Sequence, residues 1–131
     1  TDHSPAPASI KEITSGNLKK AWGGIAGIQF LLTASWTALK DLMSLEQFIP
    51  LVTSKPAQFL KVDKKGTIAV GNDADIVIWN PSQTQVIQES DIFFKHKISP
   101  YIGQELNGVV LETIVNGQTV YQNQIIQNKN K

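Results

Sequence analysis

The sequence predicts an α/β chain in two parts, loop and helix over residues 1–62 and β structure over residues 63–131. Three observations carry this. Apolar residues recur at helical spacing between Ile28 and Leu60, β-rich runs bounded by Gly, Asn and Pro follow Lys64, and Asn116-Gly117 sits between two such runs. The first is the period of packed helices, and the others are the punctuation of a sandwich or barrel.

The elements follow in order. The chain opens "TDHSP". On an extended strand Asp2 and His3 point to opposite faces, so they do not easily grip one ion. Two readings stand: a plain turn with Ser4-Pro5 ending a strand, or the end of a strand in an active site. After the glycine-rich turn of Gly23, Gly24 and Gly27, Ile28, Leu31, Leu32, Leu39 and Leu42 fall on one helical face, with the helix ending near Asp41–Met43. Ser44 and Gln47 have capping-box spacing. Leu45, Phe48, Ile49 and Val52 then form a stripe in which Pro50, lacking its N–H, is expected to kink or shorten the helix. A further short helix is expected from Pro56, carrying Phe59 and Leu60.

In the second part, Thr67–Val70 reads as a short strand closed by Gly71, and Ile76–Trp79 as a strand stopped by Asn80-Pro81. Residues 108–126 form a hairpin about Asn116-Gly117, the favoured dipeptide of a two-residue primed turn. Ser90–Gly103 reads as a long loop and the terminal "QNKNK" as a polar tail. Trp22, Trp36 and Trp79 read as core or interface residues.

Composition narrows the function. Hydrophobic residues make up 41% and charged residues 18%, values of a globular rather than a disordered chain. Twelve cations against eleven acids, all twelve being lysine, argue against nucleic acid, whose recognition leans on arginine and a basic surplus. The absence of cysteine excludes disulfides and thiolate metal sites and fits a reducing compartment, so a cytoplasmic location is expected. The uncharged stretch Ala21–Leu39 approaches spanning length, but three glycines, Gln29, two threonines and Ser35 dilute it. A buried helix or helix pair is therefore read, not a membrane span. A catalytic zinc site generally takes about three protein ligands. His3 and His96 are the only histidines, so the chain does not complete such a site from histidine.

Longer passages carry a resemblance. "KGTIAVGNDADIVIWNP" (Lys65–Pro81) resembles the passage by which amidohydrolase-superfamily enzymes leave their barrel for a small β-sandwich, and "SLEQFIPLVTSKPAQFL" resembles the helix and Pro-Ala turn before it. "KAWGGIAGIQ" and "FKHKISPYIGQ" are similar to the allantoinase family, in the cyclic-amidase branch with dihydropyrimidinase and dihydroorotase. Ser4 and Ala6 stand where dihydroorotases carry the Ala and second His of their Asp-His-Ala-Pro-His, which counts against orotate chemistry.

The resemblance implies the C-terminal end of a (β/α)8 TIM-type barrel over 1–62 and part of a composite β-sandwich over 63–131. It implies a metal-dependent cyclic amidohydrolase that opens (S)-allantoin to allantoate. Two divalent ions, expected to be zinc, would share a hydroxide, held by Asp2 and by histidines and a carbamylated lysine outside this chain. Asp2 would be both metal ligand and catalytic acid–base, and Gly23 and Gly24 would bind substrate through bare backbone groups. The partners implied are a small cyclic ureide, the remainder of the enzyme's own chain, and identical subunits in a homo-oligomer. Dihydropyrimidinase, hydantoinase or dihydroorotase chemistry, and a non-catalytic dihydropyrimidinase-like scaffold, are the competing expectations.

Overall fold

A computed structural model describes residues 3–127; Asp2 and the polar tail beyond Gln127 lie outside the described residues. His3 forms a single parallel bridge with Ile25, and the chain then makes one helical turn, α1 (Ala8–Lys11), not foreseen from the sequence. Pro7 precedes it in extended conformation, and Glu12, left-handed at φ 52°, ends it. The apolar run becomes helical only at a 3-10 turn, Ile28–Phe30, which leads into α2 (Leu31–Leu39). Upstream, the glycines hold the backbone out of the helix, Gly24 at φ 71°.

The capping box is present. Ser44 Oγ accepts from the Gln47 N–H at 3.4 Å, and the Ser44 N–H donates to Gln47 Oε1 at 3.0 Å, opening α3 (Leu45–Val52). Pro50 shortens this helix: it closes two residues later, where Thr53 leaves helical geometry and its hydroxyl donates to the Ile49 carbonyl at 2.8 Å. The next helix, α4 (Ser54–Leu60), starts two residues before Pro56, which still falls in the first turn, where no N–H is needed.

The strand expected at Thr67–Val70 is absent. This segment is turn and loop, with Ile68 88% and Val70 fully exposed, because no neighbouring strand among the described residues offers it a ladder. Asn80-Pro81 likewise does not stop the next strand. That strand, β1, runs Ile76–Val86 and takes up the proline at a register shift between Asn80 and Thr84. It pairs antiparallel with β2 (Glu105–Val115), which turns through Asn116 (φ 49°) and Gly117 (φ 73°) into β3 (Gln118–Gln122). Two successive positive φ values are the signature of the primed turn read from Asn-Gly. A second such turn, Asn123-Gln124, adds β4 (Ile125–Ile126), and the sheet order is β1-β2-β3-β4. The 90–103 segment is a 3-10 turn (Glu89–Asp91) followed by loop.

Helix α2 lies across β2. Trp36 meets Trp79 edge-on at 6.1 Å and Phe48 at 5.2 Å, and its indole N–H donates to the Pro81 carbonyl at 3.0 Å. The Asn107 N–H donates to Thr37 Oγ1 at 2.7 Å. Phe30 packs with Ile87, Ile92 and Leu106 in a core joining the first part of the chain to the second. Trp22, read as a core or interface residue, is 58% exposed within this chain.

The surface is large. The chain exposes 9258 Å² at 14.4 kDa. A compact monomer of this mass exposes roughly 6,800 Å². The excess is partly apolar, with Leu18, Leu42, Phe59 and Leu60 open to solvent. An open cleft of about 1470 Å³ runs between α2, the α3–α4 pair, the 65–77 segment and the sheet.

Candidate functional site: the glycine turn beside His3

The segment after Asp2 is wrapped around the glycine turn. The Ser4 N–H donates to the Ile25 carbonyl at 2.9 Å, and the Ile28 N–H donates to His3 Nδ1 at 3.2 Å. With Nδ1 an acceptor, neutral His3 carries its proton on Nε2. Its ring packs edge-on against Phe94 at 5.5 Å. His3 is thus tied to the loop backbone and an aromatic neighbour. Farther along, the Trp22 indole N–H donates to Ser4 Oγ at 2.8 Å, and the Trp22 backbone N–H to the Ile10 carbonyl at 2.7 Å.

Lys11 completes this wrapping. Its ammonium donates to three successive carbonyls, those of Trp22 at 3.3 Å, Gly23 at 3.2 Å and Gly24 at 2.7 Å. A lysine has three donors, so all are used. Gly24 needs its positive φ for this arrangement, whereas Gly23 does not adopt one, and a Cβ placed on it would meet open space. Nothing in the linear order marks Lys11 as a partner of glycines 12 and 13 residues away; only the fold joins them. Gly27 is different: a Cβ there would come within 3.2 Å of Tyr101 Cε2. Ser99 Oγ donates to the Ala26 carbonyl at 2.8 Å, fixing the far side of the loop. A cavity of about 230 Å³ lies between Lys11, Gly24, Ile25 and the Ile98–Pro100 segment.

Of the residues expected at a site, Gly23 and Gly24 are therefore adjacent to the His3 strand segment, and Asp2 lies outside the described residues. His96 sits half-buried in the 92–104 loop. Among the described residues no group of three or more His, Cys, Asp or Glu side chains could hold a metal ion. These residues do not form a metal centre by themselves. Among them, too, no helix is long and apolar enough to cross a membrane.

Comparison with known proteins gives this arrangement its context. The chain is 37% identical over 123 residues to the allantoinase of Enterococcus faecalis (strain ATCC 700802 / V583), and equally to that of Escherichia coli (strain K12). These matches cover 92% of this chain and 27% and 26% of those proteins, so it spans about a quarter of its curated relatives' length. Among solved structures, L-hydantoinase (dihydropyrimidinase) from Arthrobacter aurescens superposes with a TM-score of 0.86 at 30% identity, covering 98% of this chain and 29% of that one. D-hydantoinase (dihydropyrimidinase) from Thermus sp. shares the fold with a TM-score of 0.85 at 23% identity, with the same coverage. The Amidohydrolase family profile matches residues 10–120, from the end of α1 into β3, and by that match the chain belongs to the amidohydrolase family.

Proposed function

We propose that the chain is the C-terminal region of a metal-dependent cyclic amidase that hydrolyses (S)-allantoin to allantoate. Residues 1–62 carry the end of the last barrel strand and the helices after it, and residues 63–131 carry part of the β-sandwich. The observation that carries this reading is the parallel bridge between His3 and Ile25, which sets the turn of Gly23 and Gly24 beside the segment that follows Asp2. Active sites of such barrels form at the C-terminal ends of strands and the loops beyond them.

Each residue then has a task. Asp2 would hold one divalent ion, zinc in this reading, and serves as the proton carrier. It takes a proton from the attacking water and gives it to the amide nitrogen as the ring opens, a base turned acid. Gly23 and Gly24 present backbone groups to the imide edge of the ring, where a side chain would stand in the way. Bound metal would supply a water of depressed pKa. The described residues form no metal centre by themselves. The apolar helix faces and the open cleft are covered by the remainder of the enzyme, which is cytoplasmic and homo-oligomeric in this reading.

A second reading, dihydropyrimidinase or hydantoinase chemistry, is favoured by the names of the similar solved structures. The full-length enzyme assayed on allantoin and on dihydrouracil separates the two. Faster turnover of allantoin is expected. Preference for dihydrouracil installs the second reading, and turnover of neither supports a non-catalytic scaffold.

A further inference from the structure

We propose that Lys11 is a positioning residue for substrate binding: its ammonium gathers the carbonyls of Trp22, Gly23 and Gly24 and so aims the Gly23 and Gly24 N–H groups at the substrate. This rests on the reading that the glycine turn touches the substrate.

The geometry follows from planar peptides. The Trp22 carbonyl shares a plane with the Gly23 N–H, and the Gly23 carbonyl shares one with the Gly24 N–H. In trans peptides, and no cis bond occurs among the described residues, the N–H points opposite to its carbonyl. Two carbonyls drawn to within 3.3 Å of one Nζ therefore commit two successive N–H groups to the other side. The third carbonyl, that of Gly24, is the closest at 2.7 Å and anchors the turn in its left-handed conformation. Glycine has little conformational preference of its own, so an unclamped Gly-Gly pair would sample many orientations. A cation on the carbonyl oxygens also polarises each peptide and makes its N–H a stronger donor.

Lys11 is held well for this. It ends α1, Glu12 caps that turn, and the Ile10 carbonyl accepts from the Trp22 N–H at 2.7 Å. The clamp and the turn are one unit, fastened on both sides of the lysine stem.

The test uses the full-length enzyme with allantoin as substrate. Lys11→Met keeps most of the length of the side chain and removes the donors. It is expected to raise KM about ten-fold or more, as loss of charge-assisted hydrogen bonds does, with kcat within about threefold because ground state and transition state lose the same contacts. Lys11→Arg, which restores cationic donors, is expected to recover most of the KM. A wild-type KM in Lys11→Met overturns the proposal, even if the melting temperature falls, since that assigns Lys11 a purely structural role. If Lys11→Met does not fold, Lys11→Leu, which likewise lacks donors, is measured on the same criterion. Gly23→Ala tests the underlying reading separately: its Cβ has open space within this chain, so it is expected to raise KM with unchanged melting. Raised KM in Gly23→Ala with wild-type KM in Lys11→Met overturns the role of Lys11 alone. A wild-type KM in Gly23→Ala overturns the glycine-turn reading and the role of Lys11 with it.

Discussion

Gly108 of β2 lies against the indole of Trp79 in β1, and replacing it by alanine gives a loss that can be worked out in advance. Gly108 lies buried in β2 at φ 92°, and an added Cβ would stand 2.4 Å from Trp79 Cζ3 and 2.7 Å from Cε3. Two costs arise. Holding alanine at that positive φ costs about 1–2 kcal/mol. Forcing a methyl into the indole costs about 1–3 kcal/mol more, since Trp79 is wedged against Trp36 and has little freedom to withdraw. The expected total is about 2–5 kcal/mol. Gly71 supplies the control: it has the same φ of 92° but nothing within 4 Å of its Cβ position, so Gly71→Ala carries only the first cost. Urea unfolding of both variants of the full-length enzyme, followed by tryptophan fluorescence, measures each loss. The difference between them, about 1–3 kcal/mol, is the steric part. Equal losses would refute the argument that the Trp79 face closes against a bare backbone.

Further outcomes follow from other elements. Ser44→Ala removes half of the capping box and is expected to cost about 1 kcal/mol in the same unfolding assay. The Lys65 ammonium, and after it the Asn116 N–H, hold the Asp75 carboxyl below its ordinary 3.8. Asp75, and after it Asp73, raise Lys65 above its ordinary 10.5. A depressed carboxylate contributes stability above its unfolded value, lost as pH falls through the folded one. A raised ammonium contributes below its unfolded value, lost as pH rises through the folded one. The knot is therefore intact between about pH 4 and 10.5, and Asp75→Asn is expected to flatten the acid limb of a stability–pH profile. Asp2→Asn in the full-length enzyme is expected to lower turnover of allantoin roughly 10²–10⁴-fold, the range of general acid–base catalysis; near-normal turnover removes Asp2 as proton carrier. The 131-residue chain by itself is expected neither to retain two metal ions nor to hydrolyse allantoin, and metal analysis with an activity assay checks both.

Local rules were legible wherever one short segment carries the whole physical cause. The Ser44–Gln47 box and the Asn116-Gly117 turn are such cases: hydrogen bonds within four residues, or two positive φ values, decide the conformation regardless of what packs outside. The resemblance pointing to the amidohydrolase family was legible too, because it rests on strings of residues and not on their contacts. Thr67–Val70 and Asn80-Pro81 failed for the opposite reason. A strand exists only where another strand accepts its hydrogen bonds, so a β-rich run with no neighbour stays a loop, and a proline is tolerated where the ladder shifts register around it. Trp22, read as a core or interface residue, is exposed within this chain and tied through its indole to Ser4.

The sequence by itself determined the Ser44 cap, the primed turn and the family. Tertiary structure alone decided that α2 docks on the sheet, Trp36 on β1 and Thr37 on β2, that Gly108 lies under Trp79, and that Lys11 reaches across to the glycine turn. These are encounters between residues more than ten positions apart. Each depends on where whole elements come to rest, and burial of Phe30, Ile87, Ile92 and Leu106 in one core sets that position without being written in any single stretch.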